Sequence, residues 1–395
     1  MSQPGSEEAQ VFSIARGAPF LRFQERLGLV GPGSLAAARR GLFFAALCWL
    51  PLLVLAAVDG TLLSPGGGGS LLLDLSAYAR FLAAVPIFLL IEPLADVRIA
   101  RVGREFVAGG LVPRARIEDF ESLVADANRR RDSGFAEAVI AGVSALVGST
   151  WVRASLRLAS PSWAGRLAED GAIHLSPAGW WAALVASPVF LFLLLRWLWR
   201  FLLWVLLMRR IAALGIEVVP THPDRCGGLA FVGQYPAAFS GFAFAISTVV
   251  AAALARLLLW GGTRIEDMQW AVGAWVVAIF ALFLLPLFFF ARPLRIAKQQ
   301  ALLDYAALSL RHNRAFEQRW IRGTMPTEEM LGSQDPSSLA DLATAYQAVK
   351  AMRGVPVVAE GLVPLAIAVA LPLACAAATQ VPVRTMLMAL RKFVL

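Results

Sequence analysis

From Trp180 to Met208 the chain reads WWAALVASPVFLFLLLRWLWRFLLWVLLM, an apolar run whose only charges are Arg196 and Arg200. As a helix it would measure about 43 Å, against a hydrocarbon core of about 30 Å. Further runs close to the roughly 20 residues that cross a bilayer lie near 41–58, 79–97, 135–152, 238–260, 270–291 and 356–378. With 179–208 they make about seven spans. Backbone groups in lipid have to bond within their own segment, so each run is expected to be a helix. Alternating strand patterns of the outer-membrane kind are absent. Only 16% of the residues are charged, below the quarter usual for soluble domains. The expected fold class is therefore all-α: a polytopic transmembrane helical bundle with a small cytoplasmic helical layer.

Basic residues set the expected orientation. Arg16, Arg22, Arg26, Arg39 and Arg40 precede the first span, and the next connection, DGTLLSPGGGGS, has no Lys or Arg. The connection 98–134 carries Arg98, Arg101, Arg104, Arg114, Arg116 and Arg129 to Arg131. Positive charge collects on the cytoplasmic side, so segment 1–40, the 98–134 connection and the 292–355 connection are expected there. Alternation adds the 209–237 connection. Spans 1–2 occupy 41–97, spans 3–6 occupy 135–291, and the last occupies 356–378. The first run begins too far in for a cleaved signal peptide and reads as an anchor. The tail 379–395 spaces Val383, Met386, Leu387 and Leu390 as an amphipathic surface helix would.

The cytoplasmic connections carry helical patterns of their own. In 115–131, Phe120, Leu123, Val124 and Ala127 share one face. A helix is expected to continue the sixth span to about Trp320. Another is expected over 338–353, capped by Ser338 and Asp341, with Leu339, Leu342, Tyr346 and Val349 as its seam. Such seams serve packing or a homo-oligomer.

Ionisable residues in or beside apolar helices are candidates for an ion or solute pathway. They are Glu92, Asp96, Glu137, Arg196, Arg200, Arg256 and Glu360. Arg196 and Arg200 lie four apart, on one helical face. If Trp180 and Trp181 mark the outer interface, both arginines reach the inner one. If Arg209 and Arg210 mark the inner interface, both lie within the membrane and need partners. Pro93 follows Glu92 and weakens the helix there.

The polar stretch THPDRCGGL, 221–229, separates two apolar spans. Pro223, Asp224 and the glycine pair belong to turns. His222, Asp224, Arg225, Gly227 and Gly228 are candidates for an anion or lipid-headgroup site at the membrane surface. His222, Asp224 and Cys226 are a weaker trio for a metal, since their spacing is no established ligand pattern. LLLRWLWRFLLW, VVPTHPDRCGGLAFVG, REFVAGGLVPRARI and TQVPV resemble stretches of a group of bacterial inner-membrane proteins with no established activity. The resemblance implies a bacterial cytoplasmic-membrane location, multi-pass with the N-terminus inside, and carries over no catalytic residue.

No P-loop, HExxH or G-x-S-x-G motif is present, so no cofactor is expected and an enzyme is the less favoured class. The net charge of +9 comes without zinc-finger spacing, an RNP motif or a basic recognition helix, which argues against nucleic acid. Membrane lipids with anionic headgroups are the expected partners. Three cysteines offer no disulfide framework. The favoured function is a channel or transporter for an ion or small polar solute. The alternatives are a membrane scaffold or sensor that uses its cytoplasmic helices, and an enzyme acting on lipid headgroups.

Overall fold

The computed structural model describes residues 11–15, 17, 19–31, 34–63, 69–158, 162–260, 264–322 and 334–379. The expected amphipathic tail beyond 379 and most of the glycine run at 66–69 lie outside these residues.

The chain starts with a short helix, α1 (Pro19–Arg26), followed by the long apolar α2 (Ser34–Val58). The expected span at 79–97 is not one helix. It consists of α3 (Leu75–Ala77), a π-helical segment (Tyr78–Ala84) and α4 (Val85–Leu90), which meets α5 (Glu92–Ala108) at a break on Ile91. Prolines at 86 and 93 cause this interruption, because each removes an amide donor from the helical ladder. The amphipathic α6 (Ile117–Arg131) buries Phe120, Val124 and Ala127, and α7 (Gly134–Leu158) runs back through the bundle.

A two-stranded hairpin follows, β1 (Gly165–Leu167) antiparallel to β2 (Ile173–Leu175), and it is the one departure from an all-helical fold among the described residues. Its strands are too short for an alternating pattern to show in the sequence. It leads into α8 (Pro177–Trp181), a π-helical segment (Ala182–Ala186) and α9 (Ser187–Ala212). A 3-10 turn (Ala230–Gln234) and α10 (Tyr235–Ala238) precede α11 (Ser240–Trp260). Then α12 (Gln269–Leu284) passes through a 3-10 segment (Leu285–Phe290) into α13 (Ala291–Glu317). The helix α14 (Asp335–Ala351) folds back on α13, and α15 (Ala359–Ala377) closes the bundle against α11. The α14 helix begins at Asp335, not Ser338. Pro336 fits the first helical turn, where its missing N–H costs nothing.

Among the described residues, six helical stretches are long and apolar enough to cross a membrane: Ala36–Val58, Gly134–Arg157, Pro177–Ala212, Ser240–Trp260, Glu266–Arg322 and Ala359–Ala377. The protein is a multi-pass membrane protein built as a helical bundle. Its outer surface is correspondingly apolar, with Leu42, Val54, Leu146, Leu184 and Ile367 all exposed. The central element is α9. Phe190, Leu193, Trp197, Phe201, Trp204, Leu207 and Ile211 are buried along it at three- and four-residue spacing. Helices α2, α4, α6 and α7 reach α9 or the π segment that precedes it.

Close helix approach depends on two glycines. A Cβ on Gly361 would lie 2.0 Å from the Gly233 carbonyl oxygen, and one on Gly233 would lie 2.1 Å from that of Pro356. Small residues let helix backbones meet in this way. Gly361→Leu is expected to push α15 off the bundle and cost about 3 kcal/mol, the upper range for overpacking. Thermal unfolding in detergent checks this, with Ile367→Leu on the exposed face of α15 as the unchanged control.

Candidate functional site

Five charged side chains from four helices meet inside the bundle. The break at Ile91 places Glu92 at the first turn of α5, facing α9. Its Oε1 accepts from Arg196 Nη1 at 2.6 Å and Arg200 Nη1 at 2.8 Å. Its Oε2 accepts from Arg40 Nη1 of α2 at 3.0 Å. Glu137 of α7 adds the second carboxylate. Its Oε1 lies 3.4 Å from Arg196 Nε, a charge pair too poorly aligned to be a hydrogen bond. Glu92 and Arg200 are 1% exposed, Arg196 3%, Arg40 7% and Glu137 8%.

Among the described residues, three arginines face two glutamates, which leaves one positive charge in excess when both carboxylates are ionised. Several donors have no acceptor among the described residues: Nη2 of Arg196, Nη2 of Arg200, Nε of Arg40 and Nε2 of Gln24. Buried donors of this kind are costly when unmet and favour any acceptor that reaches them. The cluster is thus chemically disposed to hold an anion.

The helix α1 closes the cluster from one side. Gln24, fully buried, accepts from Arg40 Nη1 at 3.0 Å through its Oε1. The Phe20 ring lies 4.8 Å from the Arg196 guanidinium, and the Phe20 amide donates to Glu137 Oε2 at 2.7 Å. Phe23 and Leu27 remain exposed on the opposite side. Ahead of α1 the chain is threaded into the core. Asp96 accepts from the Ser13 hydroxyl at 2.7 Å and from the amides of Ile14 and Ala15 at 2.6 and 3.2 Å. Phe12 and Ile14 are buried, and Arg131 forms a two-pronged pair with Asp132 beside them.

Of the ionisable residues singled out in the sequence, Glu92, Glu137, Arg196 and Arg200 come together. Asp96 instead anchors the N-terminal segment. Glu360 is exposed at the start of α15. Arg256 lies at the far end of α11, beside Arg80 of the first π segment, where the two like charges repel. Sequence reasoning did not single out Phe20, Gln24 or Arg40 for this site. Arg40 reads as one more orienting charge, and nothing near Phe20 or Gln24 signals burial beside an arginine.

The THPDRCGGL stretch folds around its own aspartate. Asp224 Oδ1 accepts from the amides of Cys226 at 2.7 Å and Gly228 at 3.1 Å, and Oδ2 accepts from that of Ala230 at 3.0 Å. His222 Nδ1 lies 2.9 Å from Oδ1. Arg225, Gly227 and Gly228 all have positive φ, which curls the backbone amides inward. Burial raises the Asp224 carboxyl pKa. The three amides and the His222 ring more than reverse this, so it lies below the usual carboxylate value. The amide of Gly228 is therefore engaged within the loop, while the side chains of His222 and Arg225 are exposed. Arg353 donates its amide to the Arg225 carbonyl at 2.7 Å, tying this loop to the turn before α15. Among the described residues, no group of three or more His, Cys, Asp and Glu side chains is arranged to hold a metal ion.

Compared with protein-family models, curated proteins and solved structures, the chain matches none.

Proposed function

We propose that this protein is a channel or transporter of the bacterial inner membrane that moves an anion, with Arg40, Arg196 and Arg200 as its anion site. The observation that carries this reading is the excess of buried arginine over glutamate, with guanidinium donors left free. Ionisable groups inside membrane helices default to functional roles, and a purely structural knot would be expected to balance its charge.

Seven crossings fit the proposal, counting the broken stretch from α3 to α5. Exposed tryptophans at 180, 260 and 270 fall at helix ends, with Trp151 two turns from the end of α7, as an aromatic belt at the outer interface would have them. Descending about 20 residues from Trp180, Trp260 and Trp270 reaches Arg200, Ser240 and Phe290. The cluster then sits at the inner boundary of the hydrocarbon, where the polar α6 packs along the last turns of α9. Basic residues put this end in the cytoplasm. At the other end, Arg80 and Arg256 stand with the carboxylate of Asp74, leaving a second station with one positive charge in excess, on a segment whose π-helical turns are a frequent mark of functional sites.

The test is flux in proteoliposomes. Reconstituted protein should carry chloride, phosphate or a small carboxylate faster than protein-free vesicles, and should carry no cation. Arg196→Gln should slow that flux about tenfold, the effect of losing one charged hydrogen-bond partner. Folded protein that moves none of these anions overturns the reading.

A further inference from the structure

One helical turn from the charged cluster, the bundle holds an apolar cavity of about 190 Å³. Its walls include Phe44, Ala141 and Phe192, which stand four residues from Arg40, Glu137 and Arg196 on α2, α7 and α9 respectively. Residues four apart lie one above the other on a helix face. The cavity is therefore stacked directly on the arginine cluster. Among the described residues its only polar lining residue is Ser144, whose hydroxyl is engaged with the Ile140 carbonyl at 2.7 Å.

One ring touches both compartments. Phe20 lines the cavity, packs on Phe44 and Phe192 at 5.5 and 4.9 Å, and covers the Arg196 guanidinium. On the outer flank Ala141 is exposed, next to exposed Val139 and Val143. The cavity thus opens sideways, on the apolar surface that would face lipid.

We infer that cavity and cluster are one binding site for a single-chain carboxylate amphiphile, which enters from the bilayer and sets its head on Arg196 once Phe20 swings aside. This inference rests on the reading of the cluster as an anion site. The chemistry selects the class. A sealed apolar cavity of roughly 150 Å³ takes up benzene; this one, open on its lipid-facing side, has room for a hydrocarbon segment of about six to eight carbons. The cluster carries one positive charge in excess, which a monoanion neutralises. A phosphate monoester, at about −1.5 to −2, would overshoot it. An anion without a chain leaves the cavity unfilled.

The experiment uses the full-length protein in nanodiscs of uncharged lipid, with radiolabelled dodecanoate as the probe. Binding should saturate. Unlabelled dodecanoate should displace the label, whereas acetate, dodecanol and dodecyltrimethylammonium should not. Arg196→Gln should weaken binding about tenfold, as loss of a charged partner does. Ala141→Trp, which fills the mouth of the cavity from an exposed position, should weaken it similarly while keeping the wild-type thermal midpoint. Binding unaffected by Ala141→Trp overturns the inference. So does tighter competition by dodecyl phosphate than by dodecanoate. Arginine-dependent chloride or phosphate flux with no dodecanoate binding overturns the amphiphile and leaves the anion reading standing. Saturable dodecanoate binding without flux of any small anion supports the site and removes only the small-anion transport.

Discussion

Replacing Glu92 by Gln should destabilise the protein by about 3–5 kcal/mol, the cost of breaking a buried ion pair from one side. Among the described residues Glu92 is the one acceptor shared by Arg40, Arg196 and Arg200. Glutamine keeps the shape and one carbonyl oxygen. It leaves three guanidinium groups facing Glu137 alone, so the excess charge rises from one to two. The loss should appear as a lower thermal midpoint and a smaller monodisperse fraction on extraction. Adding Arg200→Gln returns the excess to one and should recover part of the stability. If the double variant is as unstable as the sum of the single ones, the three arginines are not coupled through Glu92.

Asp224→Ala should also be strongly damaging, at about 3 kcal/mol. Three backbone amides lose a charged acceptor, each bond worth about 1.5–3 kcal/mol, and the loop's partial exposure lets water replace some of it. Those amides lie in a curl held by positive φ at residues 225, 227 and 228, so the loop should open. Hydrogen exchange at Cys226, Gly228 and Ala230 reads this directly, and slow exchange in the variant would refute the assignment. The same carboxylate makes stability depend on pH. Its pKa in the folded protein is depressed, so its contribution is present above the unfolded value of about 3.9. That contribution is lost as pH falls through the folded value. Wild type should therefore lose stability on acidification, and Asp224→Ala should lose less.

Much of the architecture was legible because hydrocarbon imposes a simple rule. A run of about 20 apolar residues has few options other than a helix. The runs at 41–58 and 238–260 fall on α2 and α11 for that reason. The run at 79–97 is apolar enough for the same inference, yet Pro86 and Pro93 divide it; the weakening at Pro93 was legible, and the π-helical turns ahead of Pro86 were not. The β1–β2 hairpin was invisible, since six strand residues give no periodicity. The site was half legible. Charges inside apolar runs stand out by cost, which identified Glu92, Glu137, Arg196 and Arg200. Asp96 and Glu360 stand out equally and lie elsewhere.

By itself the sequence determined that this chain is a multi-pass helical membrane protein, because burial length and the cost of unbonded backbone act on each segment alone. Only the tertiary structure decided which charges meet. Arg40, Glu92, Glu137 and Arg196 converge from four helices whose mutual rotation depends on side-chain packing between segments far apart in the chain. It also decided that Asp224 caps its own loop. An aspartate in a turn reads the same whether its oxygens face water, a ligand or three amides, and only the backbone curl at Arg225, Gly227 and Gly228 distinguishes them.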